Sequence, residues 1–454
     1  MAASTVKTQA KVMDASELCE NKIPTSFCEW ADGMDDAANK VDIRREEREW
    51  KKPSIYRVTS FARSHNPHAF TPQVISFGPF HHGAEHLKFT EVLKGRALMH
   101  FLHRAEKPLR PFISKLRCIL KQLQDSYQDL DDKWKQNPYE FLKMMLLDGC
   151  FMIEVLRLKE GSKDYAPNDP VFSLHMMPLR IPYIKRDVLL LENQLPLLVL
   201  KALLEVEERG QTGDQYINNL VLRFCGEKLK ANLPGLASHP LELYRMSMLH
   251  GYYEQKIVEC EPGKICETEV IQNAVELQES GVRFRKSKST SLRDIEFDPK
   301  TGMLELPFIP VNDGTEHLLL NMIAYEQIHV GIGNEITSYI AFMDALIDSG
   351  HDVKLLQKKG IISYSRGSHK AVADLFNGLT KEAAHDPKDP FNHTRSELNK
   401  YYKKRRNKWG ANLRHQYLHS PWKVISIFAA SFVIVLTFVQ TVCAIISLYK
   451  ELRH

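Results

Sequence analysis

Apolar positions recur at helical spacing along most of this chain. Residues 86–106, 112–131 and 138–160 each carry apolar side chains three and four positions apart, which predicts a helix in each range. The third range is apolar throughout its centre, a pattern typical of a helix that is buried on all sides. Residues 335–349 and 368–379 predict two further helices. The pattern therefore predicts a mainly α-helical protein.

One region alternates apolar and polar residues instead. The segments "GVRFR", "LRDIEF" and "MLELP" each have a period of two, and "DPKTG" between the last two predicts a turn. We expect a small antiparallel sheet over about residues 281–307. Thr315 follows as a candidate N-cap of the next helix. The predicted fold class is thus mainly α with a small antiparallel β-sheet (α+β), plus one C-terminal transmembrane helix.

The transmembrane prediction rests on residues 424–448, "VISIFAASFVIVLTFVQTVCAIISL", which contain no charge over twenty-five positions. A helix of this length spans roughly 37 Å, enough to cross a hydrocarbon core of about 30 Å. Its Val, Ile, Leu and Phe side chains favour insertion by about 4 to 9 kcal/mol. Gln440 is the one strongly polar side chain, and it is a candidate for a helix-packing face.

A second leucine-rich stretch, "DVLLLENQLPLLVLKALL" at 187–204, fails the same comparison. Each of its charged residues would cost about 3 kcal/mol in a bilayer, and a proline interrupts the helix. We interpret the stretch as two buried helical pieces that meet at a polar joint. In this interpretation Asn193 is a candidate N-cap and Pro196 lies in the first turn of the second piece.

The net charge of +5 is unevenly distributed. Nine Lys or Arg and one Glu lie between residues 395 and 423, so the remainder of the chain is acidic overall. By the positive-inside rule this basic flank places the large N-terminal part in the cytosol. It also predicts contact with anionic lipid headgroups, and it does not favour nucleic acid as a partner. The basic cluster consists of Lys403, Lys404, Arg405, Arg406 and Lys408.

These features divide the chain into four parts. We expect residues 1–40 to be a disordered polar segment and residues 41–418 to be a mostly helical domain. Residues 424–448 are the predicted membrane helix, and residues 449–454 are a short tail. The eight cysteines show neither metal nor redox spacing, which suits a reducing compartment better than a disulfide framework.

A search for catalytic signatures finds no nucleophile elbow, phosphate-binding loop, metalloprotease motif or kinase set. Five histidines fall between residues 65 and 86, but their spacing matches no metal site, and no metal or cofactor is predicted. More unusual are the carboxylates inside apolar runs, because a buried carboxylate must be paired, protonated or functional. Arg157, three residues after Glu154, is a local candidate partner for that carboxylate. The candidate buried polar network consists of Asp148, Glu154, Glu192, Asn193 and Gln194.

Several segments together resemble a plant-specific family known as domain of unknown function 247. They include "PSIYRV" at 53, "PQVISFGPFHHG" at 72, "MMLLDGCFMIEVLR" at 144, "RDVLLLENQLPLLVL" at 186 and "LELPFIPVNDGTEHLLLNMIAYEQ" at 304. The resemblance implies a single-pass membrane protein with a C-terminal anchor. It also implies a role in processes such as self-incompatibility, stress or defence, and it supplies no catalytic residues.

The sequence therefore favours a membrane-anchored plant protein, without enzymatic activity, that acts in protein recognition or signalling. Its partners would be the lipid bilayer and other proteins, and its location the plasma membrane with a cytosolic N-terminal domain. Two alternatives remain. One is an enzyme with an unfamiliar carboxylate site around Asp148, Glu154 and Glu192. The other is a recognition domain that faces outward, which would expose the glycosylation sequon at Asn392.

Overall fold

The computed structural model forms two compact units, Met1–Lys52 and Pro53–His454. The structure describes residues 25–158, 165–173, 175–207, 213–227, 233, 235–250, 270–365, 367–379, 389–404 and 421–451. Most of these residues are helical, and two small sheets complete the fold. The predicted class, mainly α with a small sheet and a C-terminal apolar helix, is confirmed.

In the described part of the first unit, residues 25–52, the helices are α1 (Thr25–Ala38) and α2 (Ile43–Trp50). α1 lies within the polar segment for which the sequence predicts disorder, and residues 1–24 lie outside the described residues. Phe27 and Trp30 share one face of α1, with their ring centroids 5.2 Å apart. This aromatic spacing gives the acidic segment a helical periodicity that composition alone obscures.

Two hydrophobic cores organise the second unit. The first is built mainly from α4 (Lys88–Ala105), α5 (Leu109–Cys118), α8 (Pro138–Arg157), α10 (Leu197–Glu207) and α11 (Asp214–Cys225). Its central helix is α8, in which residues 150–156 are all buried. The predicted helix at 112–131 is in fact two helices, because the chain turns tightly at Ile119, whose N–H bonds the Leu116 carbonyl. The helices from α3 to α12 are α3 (Ser60–His65), α4 (Lys88–Ala105), α5 (Leu109–Cys118), α6 (Leu120–Asp125), α7 (Asp132–Gln136), α8 (Pro138–Arg157), α9 (Met177–Val188), α10 (Leu197–Glu207), α11 (Asp214–Cys225) and α12 (Pro240–Met248).

The second core packs helices against two small sheets. In the first sheet β3 lies between β1 and β2, antiparallel to β2 but parallel to β1. The predicted hairpin turn joins β2 (Glu296–Asp298) to β3 (Met303–Leu306). Residues 287–295 connect β1 (Arg283–Lys286), on one side of β3, to β2 on the other side, and β1 runs parallel to β3. Alternation reveals a strand but not its direction, so this pairing differs from the antiparallel prediction. The strands are β1 (Arg283–Lys286), β2 (Glu296–Asp298), β3 (Met303–Leu306), β4 (Ile309–Val311) and β5 (Ile362–Tyr364), and β4 and β5 form a parallel pair.

The remaining helices follow this core along the chain. Thr315 is the first residue of α14 and not its N-cap, because its hydroxyl accepts a hydrogen bond from the preceding Asn312 N–H, 2.9 Å away. The last helix contains a 19-residue apolar stretch, Phe428–Ile446, that is long enough to cross a membrane and has no buried side chain. These helices are α13 (Ala274–Glu279), α14 (Thr315–Ile328), α15 (Glu335–Leu346), α16 (Gly350–Lys358), α17 (His369–Leu379), α18 (Asn392–Lys403) and α19 (Pro421–Glu451).

Candidate functional site

The polar joint of the leucine-rich stretch connects α9 to α10. Every residue from 189 to 196 is buried, although none of them is helical. Asn193 is not an N-cap, because its Oδ1 accepts a hydrogen bond from the Phe77 N–H, 2.8 Å away, outside the helix. Pro196 immediately precedes α10, and its carbonyl accepts the Val199 N–H at 2.9 Å. The joint therefore faces another segment of the chain.

That segment is residues 72–79, "PQVISFGP", which we call the clamped loop. Most of its residues are buried although none belongs to a strand, so its backbone groups need partners other than a sheet. Asp187 accepts hydrogen bonds from the N–H groups of Gln73, Val74 and Ile75, at 2.7–3.0 Å. These bonds satisfy three consecutive amides with one carboxylate.

Asn193 continues this pairing along the clamped loop. While its Oδ1 accepts the Phe77 N–H, its Nδ2 donates to the carbonyls of Ile75 and Asp187, at 3.0 and 2.9 Å. One amide side chain thus satisfies backbone groups on both segments, as a neighbouring strand would. Asp148 of α8 binds the next amide, with its Oδ2 2.8 Å from the Gly78 nitrogen.

Asp148 is also half of a fully buried ion pair. The Lys94 Nζ lies 2.7 Å from its Oδ1, and both side chains are at most 1% exposed. Lys94 additionally contacts Glu91 at 2.7 Å and the Ser76 hydroxyl at 3.1 Å. Burial raises the pKa of Asp148, and the Lys94 ammonium opposes that rise. Each charge therefore depends on the other for its stability in the interior.

Glu192 attaches the joint to the start of the second unit. Its Oε1 accepts the Val58 N–H at 2.7 Å, and its Oε2 pairs with Arg63 and lies 3.3 Å from His81 Nε2. Burial alone would raise the pKa of Glu192, but the hydrogen bonds from His81 and Arg63 hold it below its usual value. The carboxylate is accordingly ionised at neutral pH.

Gln194 links the joint to α12. Its Nε2 donates to the carbonyls of Val188 and Leu190, at 2.7 and 2.6 Å. Its Oε1 accepts the Leu241 N–H at 3.0 Å and lies 3.1 Å from His239 Nδ1. Burial lowers the pKa of His239 to about 4, so this imidazole is neutral in the folded protein.

Glu154 lies in a different cluster from the other four predicted residues. It pairs with Arg104 of α4 at 2.5 Å and accepts the Tyr165 hydroxyl at 2.7 Å. The predicted partner Arg157 instead makes a bidentate pair with Glu207 of α10, at 2.9 and 2.6 Å. The local spacing of Glu154 and Arg157 was thus outweighed by partners on neighbouring helices.

Asp148, Glu192, Asn193 and Gln194 come together around the clamped loop and the joint. Sequence reasoning missed two central members of this network, Asp187 and Lys94. Asp187 could have been recognised from the sequence, because it is a charged residue directly before the apolar run that starts at Val188. Lys94 carried no signal, because a lysine in an amphipathic helix ordinarily faces solvent.

Chemically, the carboxylates of this network face backbone N–H groups and paired cations, an arrangement that fixes the path of an irregular buried segment. Among the described residues, no group of three or more His, Cys, Asp or Glu side chains could hold a metal ion. Of the predicted basic cluster, Lys403 and Lys404 are exposed at the end of α18, and Arg405, Arg406 and Lys408 lie outside the described residues.

Comparison with known proteins supports one family assignment. A family model described as a plant protein of unknown function, DUF247, matches residues 55–436. A UPF0481 protein of Arabidopsis thaliana is 30% identical over 87% of this chain and 87% of its own length. A second UPF0481 protein of the same plant is 22% identical, over 88% of this chain and 92% of its own length. No solved structure matches the chain.

Proposed function

The chain belongs to the DUF247 family of plant proteins of unknown function, and we propose that it is a membrane-anchored component of protein recognition or signalling. In this proposal α19 crosses the plasma membrane, and the rest of the second unit binds a protein partner on the cytosolic side. The observation that carries the proposal is the apolar stretch of α19.

The anchor is supported by the exposure of the apolar stretch of α19 within the described part of the chain. The nineteen residues Phe428–Ile446 include none that is buried by the rest of the described chain. A helix that is apolar all round needs either a protein core or hydrocarbon around it. The protein core is absent among the described residues, which leaves hydrocarbon as the favourable environment.

The cytosolic orientation rests on charge. Lys403 and Lys404 are exposed on the N-terminal side of the span, and the sequence places further Lys and Arg residues between them and α19. Each basic residue close to an anionic leaflet contributes about 1 kcal/mol of attraction. This attraction favours the cytosolic leaflet, and it favours anionic headgroups as additional ligands.

The recognition surface that we propose is the outer face of α4. Phe89, Val92 and Met99 lie on one side of this helix and are 58%, 72% and 62% exposed. The opposite side of α4, including Ala97 and Phe101, is buried in the first core. Apolar side chains that are not needed for the core, and that align on one helix face, are typical of a protein-binding surface.

Fractionation of plant cells tests the anchor. The full-length protein should stay with membranes through alkaline extraction, and a chain that lacks residues 421–454 should become soluble. Protease added to sealed plasma-membrane vesicles of cytosolic-side-in orientation should leave the large N-terminal part intact. Glycan on Asn392 would contradict the cytosolic orientation, because glycosylation occurs on the opposite side of the membrane.

Affinity capture with matched variants tests the recognition surface. The Val92→Glu protein should lose a defined set of partners that the wild-type protein retains from solubilised plant membranes. Val330→Glu is the control, because Val330 is 91% exposed and lies far from α4 in the sequence. Loss of the same partners from both variants, or from neither, would remove α4 as the recognition surface.

A further inference from the structure

From the arrangement of side chains on α19, we infer that two copies of this protein associate through their membrane helices, with Gln440 at the centre of the contact. The inference rests on the membrane anchoring proposed above. It concerns a second copy of the chain and is independent of the partner that binds α4.

Gln440 carries the inference because of its position. It lies within the apolar stretch Phe428–Ile446, where neither water nor a lipid tail can hydrogen-bond its amide. Within the described part of the chain, its side chain is exposed and has no hydrogen-bond partner. The hydroxyls of Thr437 and Thr441 differ, because each donates to a carbonyl of its own helix, 2.7 Å away. The Gln440 amide, with two donors and an acceptor, therefore needs a partner from another molecule.

The residues around Gln440 allow a second helix to approach. Positions 430, 433, 437, 440 and 444 are spaced by three and four residues, which places them on the single seam of a left-handed helix pair. Four of the five are small or polar, and the set is Ala430, Val433, Thr437, Gln440 and Ala444. Small residues on a membrane helix permit close packing of the backbones.

The phenylalanine rings of this stretch lie on the other side of α19. Phe428, Phe432 and Phe438 all fall outside the seam, and they are 72%, 65% and 70% exposed. This separation directs the large apolar surface to lipid and leaves the seam free.

A second copy fits this seam better than an unrelated helix. Two copies in one membrane share the same orientation, so a symmetric pair brings both Gln440 side chains to the same depth. A glutamine amide has both donors and an acceptor, so it is complementary to itself. The resulting contact is isologous, with the same seam on each side.

The test measures association of differently labelled full-length copies in proteoliposomes by energy transfer. Gln440→Leu should weaken association about threefold to twentyfold, the range expected for interhelical hydrogen bonds in membranes. Gln440→Asn should retain most of it. Ser431→Leu is the matched control on the outer face, and it should leave association unchanged. Alkaline extraction of each variant checks insertion separately.

The outcomes separate the two proposals. Membrane-inserted wild-type protein that stays monomeric at high packing density would overturn the pairing while leaving the anchor intact. Equal loss of association in Ser431→Leu and Gln440→Leu would also overturn it, because the seam would then have no special role. Recovery of the wild-type protein in the soluble fraction would overturn the anchor and the pairing together.

Discussion

Replacing Asn193 with alanine would remove the side chain that satisfies backbone groups on both sides of the polar joint. Two buried groups, the Phe77 N–H and the Ile75 carbonyl, would lose the hydrogen bond that Asn193 supplies, and the Asp187 carbonyl would keep only a longer one from the Leu190 N–H, at 3.4 Å. Asn193 itself is fully buried, so solvent does not reach the site in the folded protein. The substitution changes no charge, which makes it a clean test of hydrogen bonding.

The magnitude follows from the number of groups affected. A buried polar group that loses its partner costs about 1 to 3 kcal/mol. Two such groups set an upper limit of about 6 kcal/mol, and local relaxation lowers the cost. We expect the free energy of unfolding to fall by about 3 to 5 kcal/mol, at the upper end for single substitutions.

Urea unfolding of the full-length protein in mild detergent, followed by tryptophan fluorescence, measures this loss. Asn273→Ala is the matched control, because Asn273 caps α13 by accepting the Glu276 N–H at 2.9 Å in an exposed position. Loss of such a cap costs about 1 kcal/mol. If Asn193→Ala were no more destabilising than Asn273→Ala, the clamped loop would not depend on this amide and the reasoning would be refuted.

Three further predictions use the same unfolding assay. Gly78→Ala should lower the free energy of unfolding by about 2 kcal/mol or more, because φ is +71° and a Cβ would lie 2.7 Å from the Gln194 carbonyl oxygen. Gly83→Ala is the control and should cost less, because Gly83 has a similar φ of +83° but open space around it. Lys94→Met should lower the free energy of unfolding by about 3 to 5 kcal/mol, because it leaves the buried Asp148 carboxylate without its cation. Adding Asp148→Asn to this variant should restore part of the lost stability, and no restoration would contradict the pairing. The free energy of unfolding should fall as the pH drops from about 6.5 towards 4, because His239 becomes protonated in the unfolded chain but stays neutral in the folded protein. His239→Gln should make the free energy of unfolding depend less on pH over this range.

Periodicity predicted the helices well where it persisted over several turns. The range 138–160 became α8, and residues 335–349 became α15 with only its end shifted. The break at Ile119 left no trace in the apolar pattern, because both sides of it keep helical spacing. The parallel pairing of β1 with β3 was equally hidden, since pairing partners depend on the path of the whole chain.

The candidate network was only partly predictable, for a related reason. A polar residue inside an apolar run shows that a partner exists, which identified Asp148 and Glu192. It does not show which segment supplies that partner, and the clamped loop lies more than one hundred residues away from Asn193 along the chain. Local spacing misled at Glu154, where the available Arg157 was taken by Glu207.

The polar joint answers a requirement set by residues 72–79. An irregular segment that crosses a core exposes backbone amides with no ladder to receive them. Asp187 and Asn193 receive them here, which explains why polar side chains interrupt a leucine-rich stretch. The network therefore stabilises the fold, whereas the apolar face of α4 is the surface that we propose for binding. Substitutions in the two places should accordingly differ in kind, since network variants should lose folded protein whereas Val92→Glu should lose partners from a protein that remains folded.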